Sequence, residues 1–399
     1  MPLPGAALPG AFPAALFHPE EACRLDAGQR VMVLISEDIA RDKRVIASLA
    51  DYPNLEVVDV GKEGGAGTPF SLLVYLHAAF VLLNAILRAP GVWSLLGRRY
   101  GLRPRQVLAG LPVSLRSFVG ARKAALRLRS RLPGVSLIHA HDLSCGVVGA
   151  QLSQWAGVEL IYDAHEIEFH RNRRNSWLRT AFDVAVEKTV VGRSRELRVV
   201  NAPIAALYQL IHGISPERVR VVLNDHFATR WRDGGFSVPS ASRLAMVYVG
   251  GGVRGRQLEH LATAAKGARI PVHAFFIGTV PDLAKGADWV LGSSDYEGEL
   301  VSLVASHRCV MWCCVDDVCL SYRLSLPNKF FQALAVGIPV VAAGGTYLAD
   351  LVTAYHLGFV FDECNFDTIV KGMQGPGFSD LVRSVQRFRQ ALTAEIVTI

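Results

Sequence analysis

Strand-length runs of apolar, β-branched residues alternate with helical patterns along most of this chain, and the alternation occurs twice. In the first half the runs are "RVMVLIS" (30–36), "LEVVDVG" (55–61), "VSLIHA" (135–140), "VELIYDA" (158–164), "LRVVNA" (197–202) and "RVRVVLN" (218–224). Helical patterns near 39–50, from about 144, near 176–190 and near 203–212 separate several of them. Strands buried on both faces and joined by helical crossovers form a parallel sheet with helices on either side. The polar, Gly- and Pro-bearing segment "DHFATRWRDGGFSVPSASR" then breaks the rhythm. A second alternation follows, through "LAMVYVG" (244–250), "IPVHAFFIG" (270–278), "DWVLG" (288–292), "CVMWCCV" (309–315), "IPVVAA" (338–343) and "LGFVFD" (357–362). The pattern predicts an α/β protein of two Rossmann-like domains, 28–224 and 244–375, joined by a linker at 225–243. A flexible lead-in (1–27) and a C-terminal helix (376–399) flank them. Ligands of such sheets bind beyond the carboxyl ends of the strands, and two parallel sheets can face each other there across a cleft.

Composition excludes several other classes. With 51% hydrophobic and 19% charged residues the chain is globular rather than disordered. The N-terminal stretch before Glu20 carries no charge, so it lacks the basic region of a signal peptide. Cysteines at 23, 145, 309, 313, 314, 319 and 364 show no zinc-type Cys-x-x-Cys pair. Reduced, buried thiols and a cytoplasmic location are expected, with no metal.

The net charge of +7 is unevenly placed. Between Glu63 and Asp142 there is no acidic residue, but there are eleven Arg and Lys. The interval opens on "PFSLLVYLHAAFVLLNAILRAPGVWSLL", which His77 and Asn84 interrupt and Pro90 closes. An apolar helix followed by a basic stretch predicts an insertion, about 64–131, lying on anionic lipid. A bilayer crossing by 69–95 and a pair of core helices with a solvated basic face are the other readings. No nucleic-acid partner is expected.

Three places could carry chemistry. "VYVGGGVRGRQLEHL" sets Gly250, Gly252 and Gly255 in a G-x-G-x-x-G frame between strand and helix. As a dinucleotide fingerprint it would suggest an NAD(P)-dependent oxidoreductase, but the next strand ends in Gly278 with no acid for the ribose. Arg254 and Arg256 beside that turn suit a diphosphate instead. In "SLPNKFFQALAVGIPVVAAGG", Pro327 suits the first turn of a helix and Gly337 the position past its end. Lys329 then sits in the first turn, where the helix dipole disfavours a cation unless an anion is bound. Gln332 lies one turn on. Finally, "HAHD" and "YDAHE" place His139, His141, Asp142 and Asp163, His165, Glu166 at strand ends, a set suited to orienting a sugar or handling protons.

At these residues the chain resembles the GT-B-fold glycosyltransferases, in the retaining family four. "EDIARDKRV", "HAHD", "YDAHE", "VVLND", "YVGGGVRGRQLEHL" and "LPNKFFQALAVGIPVVAAGG" stand in family order over about 28–372. The resemblance implies a nucleotide-sugar donor on the C-terminal domain and an acceptor on the N-terminal one. It implies Arg254 or Arg256 and Lys329 at the donor diphosphate, with Gly251, Gly252, Asn328, Gln332, Gly345 and Thr346 bordering the donor. His165 would lie by the transferred sugar, and His141 and Arg41 on the acceptor side. Two departures stand out. The family's E-x7-E glutamates are Leu324 and Gln332 here, in the "LPNK" variety. In a retaining route the donor phosphate takes the acceptor proton; in an inverting one Asp142, Asp163 or Glu166 would be the base.

The expected function is a hexosyltransferase-like enzyme that takes a nucleotide-diphosphate sugar as co-substrate and needs no other cofactor. Its acceptor would be a glycan or a lipid-linked sugar at the inner face of the cytoplasmic membrane, in polysaccharide or glycolipid synthesis. A degenerate, non-catalytic binding subunit is the second reading, and the oxidoreductase the third.

Overall fold

The computed structural model describes residues 29–35, 52, 54–63, 76, 78–84, 111–171, 177–224, 243–285, 289–293, 296–362 and 365–397. The lead-in, the helix expected near 39–50 with Arg41, most of the linker, and Cys23 and Cys364 lie outside them. The chain divides into two units. Described residues up to Leu223, with Cys319–Ser321, form the first; Asn224–Val318 and the chain from Tyr322 onward form the second.

The first unit is a six-stranded sheet of β1 (Arg30–Ile35), β2 (Leu55–Asp59), β3 (Val135–His141), β4 (Glu159–Ala164), β5 (Glu196–Val199) and β6 (Val219–Val221). Its order is β2-β1-β3-β4-β5-β6, every pair parallel. Crossovers are α1 (Leu111–Leu128), α2 (Asp142–Ala156), α3 (Trp177–Arg193) and α4 (Ala202–His212). β1 is apolar throughout its buried span because helices cover both faces of the sheet. The strand order reverses between β1 and β3, so the carboxyl end of β3 lies at the switch point, where such sheets bind ligands.

The second unit repeats the design with β7 (Leu244–Gly250), β8 (Val272–Phe276), β9 (Trp289–Leu291), β10 (Arg308–Trp312), β11 (Val340–Ala343) and β12 (Gly358–Phe361). The order is β12-β11-β10-β7-β8-β9, again all parallel. Its switch point lies between β7 and β10. Helices α5 (Leu258–Ala268), α6 (Glu297–Ser306), α7 (Asn328–Val336), α8 (Tyr347–Tyr355), α9 (Phe366–Gln374) and α10 (Phe378–Val397) surround the sheet.

Helix ends explain much of the local geometry. Asn201 caps α4 by accepting from the Ile204 N–H at 3.0 Å, and Thr346 caps α8 by accepting from the Ala349 N–H at 3.2 Å. α7 differs: Pro327 occupies the cap position and offers no side-chain acceptor. The sequence suggested Pro327 for the first turn; it stands one residue earlier, and Asn328 opens the helix. Gly337 ends α7 at φ +72°, the left-handed geometry expected of it. The strand expected over 309–315 stops at Trp312, because β11 pairs only with Met311 and Trp312. Cys313–Val315 thereby become an exit segment at the switch point.

Candidate functional site

In the first unit the candidate side chains gather at the carboxyl ends of β3 and β4. His139 and His141 are two apart on β3, so both project from one face. The register sets His141 beside Asp163 of β4. All three are buried. Tyr52 Oη lies 3.1 Å from His139 Nδ1, and His141 Nδ1 lies 3.0 Å from His165 Nε2. Asp163 Oδ2 is 3.5 Å from His141 Nδ1 and 3.9 Å from both His139 Nε2 and His165 Nε2. Asp142 Oδ1 stands 3.9 Å from His165 Nδ1. One carboxylate thus stands among three imidazoles with a second at the rim, and the Tyr52–His139 and His141–His165 hydrogen bonds orient the rings, a set suited to holding a polar ligand or handling a proton. Ligating atoms of His139, His141 and Asp163 all lie within 4.8 Å of one another, a spacing that could also hold a cation.

Asp142 follows directly from β3 with φ +64°, a left-handed conformation unfavourable for a residue other than glycine. The strain turns the chain from strand into α2. Glu166, the last of the expected catalytic trio, is half-buried past β4, and its carbonyl oxygen accepts from Tyr208 Oη at 3.3 Å. Tyr208 and Tyr162 hydroxyls also lie 2.7 and 2.8 Å from Glu187 Oε1. This buried trio holds the loop that carries His165, and sequence reasoning missed it, as it missed Tyr52.

In the second unit Lys329 is buried with 6% exposure. Its Nζ sits 4.3 Å from the centre of the Tyr248 ring and has no hydrogen-bond partner among the described residues. Burial and the Arg256 guanidinium push the ammonium down to about 7; the Cys313 and Cys314 thiols act the other way. Arg256 in turn lies 4.9 Å from the centre of the Tyr322 ring. Lys329 therefore stands over β7, with the β10 exit segment and a second cation nearby and no carboxylate among the described residues in reach. The uncapped N–H groups of α7 add positive potential at the same end.

The glycine-rich turn after β7 is tight for a physical reason. A Cβ on Gly252 would meet Pro281 at 2.5 Å and the Thr279 carbonyl oxygen at 2.7 Å. Gly255, at φ +90°, would place one 2.9 Å from Tyr322, the ring under Arg256. Gly251 is half-buried in this turn, whereas Arg254 points into solvent. Of the two arginines only Arg256 joins the Lys329 cluster.

Gln332 is buried and donates from Nε2 to Tyr296 Oη at 2.5 Å, while its Oε1 has no partner among the described residues. Asn328 accepts from Asn224 Nδ2 at 3.0 Å through Oδ1. Gly345 is exposed, but the Thr346 hydroxyl is engaged locally, donating to the Ala343 carbonyl at 2.7 Å. Leu324 is buried. Tyr248, Tyr296 and Tyr322 are further residues that sequence reasoning did not single out. Among the described residues no helix is long and apolar enough to cross a membrane.

Comparisons with known proteins agree with this architecture. Residues 77–225 match the family model of the Glycosyl transferase 4-like domain. A search of curated proteins returned no match. Among solved structures, Anabaena HepE in complex with UDP and glucose is similar at TM-score 0.58 and 12% identity, covering 93% of this chain and 98% of that one. Sucrose-phosphate synthase from Thermosynechococcus elongatus gives TM-score 0.56 and 16% identity over 93% and 97%. The lipopolysaccharide outer core galactosyltransferase WaaB, in its apo form, gives 0.53 and 10% over 93% and 99%. Two six-stranded parallel sheets with helices, as in these GT-B glycosyltransferases, are the fold of this chain.

Proposed function

We propose that this protein is a glycosyltransferase that binds the diphosphate of a nucleotide sugar on its second unit. One observation carries the reading: a buried lysine ammonium beside an arginine, at a helix N-terminus, with no carboxylate among the described residues to neutralise it. A buried unpaired cation is unfavourable, and an anion that pairs with it recovers the cost. HepE of the same fold was solved with UDP and with UDP-glucose, which supports a nucleoside diphosphate as that anion.

In this reading Lys329, Arg256 and the first turn of α7 stabilise the departing diphosphate. Gly251, Gly252, Asn328, Gln332 and Gly345 border the donor. Thr346 contributes through its backbone, since its hydroxyl caps α8. His165, oriented by His141, Asp142 and Asp163, stands by the transferred sugar, with Glu166 beside it. A retaining outcome follows if a donor phosphate oxygen takes the acceptor proton, and no other cofactor is called for. The acceptor is a glycan or a lipid-linked sugar at the cytoplasmic membrane face.

The test is a thermal-shift panel. UDP- and GDP-sugars or their diphosphates should raise the melting temperature and NAD(P) should not; the reverse pattern overturns the proposal. A non-catalytic binding subunit is the second reading, favoured by Leu324 and Gln332 at the two glutamate positions. Donor binding without transfer or donor hydrolysis, over a broad acceptor panel, would establish it.

A further inference from the structure

Leu76 and residues 78–84 are helical, and their apolar stripe faces outward. Leu76, Phe80 and Leu83 are 56%, 65% and 55% exposed. Ala79 is exposed as well, while Ala78 is buried. The exposed positions stand at i, i+3, i+4 and i+7, so they form one face of the helix. The less exposed positions, Ala78, Val81 and Leu82, are apolar as well, so this helix keeps a second apolar face that the fold leaves in solvent. The one polar residue at the end of the stretch does not disturb it, because Asn84 Nδ2 donates back to the Phe80 carbonyl at 3.0 Å.

The surrounding chain says what would cover the stripe. From residue 64 to 141 there are eleven Arg and Lys and no acid. Four of the cations lie on α1: Arg116 is exposed, and Arg122, Lys123 and Arg127 are half-buried. Val113 and Leu126 of the same helix are exposed too, at 50% and 45%. A second copy of this chain would bring two such cationic intervals together, which disfavours self-association. A nucleic acid would match the charge but leaves the phenylalanine and leucines without an apolar partner. A leaflet of anionic phospholipid satisfies both, since its headgroups meet the cations and its acyl region takes the stripe.

We infer that the face made by Leu76, Phe80 and Leu83 docks on an anionic membrane surface by inserting these side chains, and that the cations of α1 reinforce the contact. The inference deepens the functional reading and rests on it for the role of the surface, which is to bring the enzyme to a lipid-linked acceptor.

The experiment is flotation of the full-length protein with phosphatidylcholine vesicles containing about one third phosphatidylglycerol, and with phosphatidylcholine alone, at low and high salt. Wild type should float with the anionic vesicles, less at high salt, and little with the neutral ones. Phe80→Glu and Leu83→Glu are surface changes that the fold should tolerate. Each should weaken partitioning to anionic vesicles by about tenfold or more, with the thermal shift by nucleoside diphosphates unchanged. Equal flotation of wild type and both variants overturns the inference, as does failure of the wild type to bind anionic vesicles. So does light scattering that shows an oligomer dissolved by Phe80→Glu, which would assign the stripe to a chain–chain contact. Vesicle binding without a nucleotide shift would sink the glycosyltransferase reading alone, and a nucleotide shift without vesicle binding would sink the docking inference alone.

Discussion

Both candidate sites lie where a parallel sheet reverses its strand order, yet they handle charge in opposite ways. At β3 and β4 the titratable groups face one another, and each imidazole has a carboxylate or another ring within 3.9 Å. At β7 and β10, among the described residues, Lys329 meets another cation, two thiols and the Tyr248 ring. The first arrangement sets acidic and basic groups face to face, with Tyr52–His139 and His141–His165 contacts of 3.1 and 3.0 Å within it. The second gathers positive charge without a carboxylate among the described residues, and so favours an anion. The difference separates two tasks, orientation of reacting groups in one unit and binding of a charged ligand in the other.

The comparison makes its largest prediction about His165. His165→Ala should lower kcat for transfer or donor hydrolysis by about 10²–10⁴-fold with the nucleotide Kd unchanged. A matching loss of nucleotide affinity would erase the division of labour.

Lys329→Met should do the reverse, weakening nucleoside diphosphate binding by about 10- to 100-fold. The melting temperature of the ligand-free variant should not fall, because the change removes an uncompensated buried charge. A variant that melts lower and binds as well as wild type would show Lys329 to be structural.

The pH dependence is smaller and has a definite sign. Native Lys329 releases its proton near 7, well below its ordinary value. The unfolded chain therefore binds more protons from about pH 7 up to the ordinary lysine range. Lys329 destabilises the ligand-free fold fully below pH 7, and this penalty fades as pH rises through that window. A bound diphosphate favours the ammonium, so affinity should decline above pH 7 by up to about tenfold per unit. Calorimetry in buffers of different ionisation enthalpy should register proton uptake at pH 8.

The smallest effect belongs to Gln332→Glu. A carboxylate one turn from Lys329 should raise the lysine's pKa, moving the break in the affinity profile above pH 7 and changing affinity by a few-fold at most. An unmoved break would mean that Gln332 and Lys329 do not interact.

The double alternation of strand and helix was legible because β-branched runs and helical spacing are local signals, and they yielded both sheets and most crossovers. The ends of α7 were legible to within a residue, from Pro327 and Gly337. The spacing of His139 and His141 put both on one strand face, and the "YDAHE" stretch put His165 nearby. The tyrosines were not legible. Tyr248 under Lys329, Tyr322 under Arg256 and Tyr296 beside Gln332 meet their partners across distant segments, and no periodicity records such pairs. Arg254 and Arg256 were equivalent in sequence; only burial against Tyr322 distinguishes them. The same limit applies to the outward stripe of Leu76, Phe80 and Leu83, since an apolar helix reads alike whichever way it faces.

The central claim is that Lys329 awaits an anionic donor, and calorimetric titration of UDP and GDP into wild type and Lys329→Met at pH 8 tests it most directly. The account predicts that wild type binds at least one of them with proton uptake, and that the variant loses both affinity and uptake. Equal binding by the two proteins, or no binding by wild type, would contradict it.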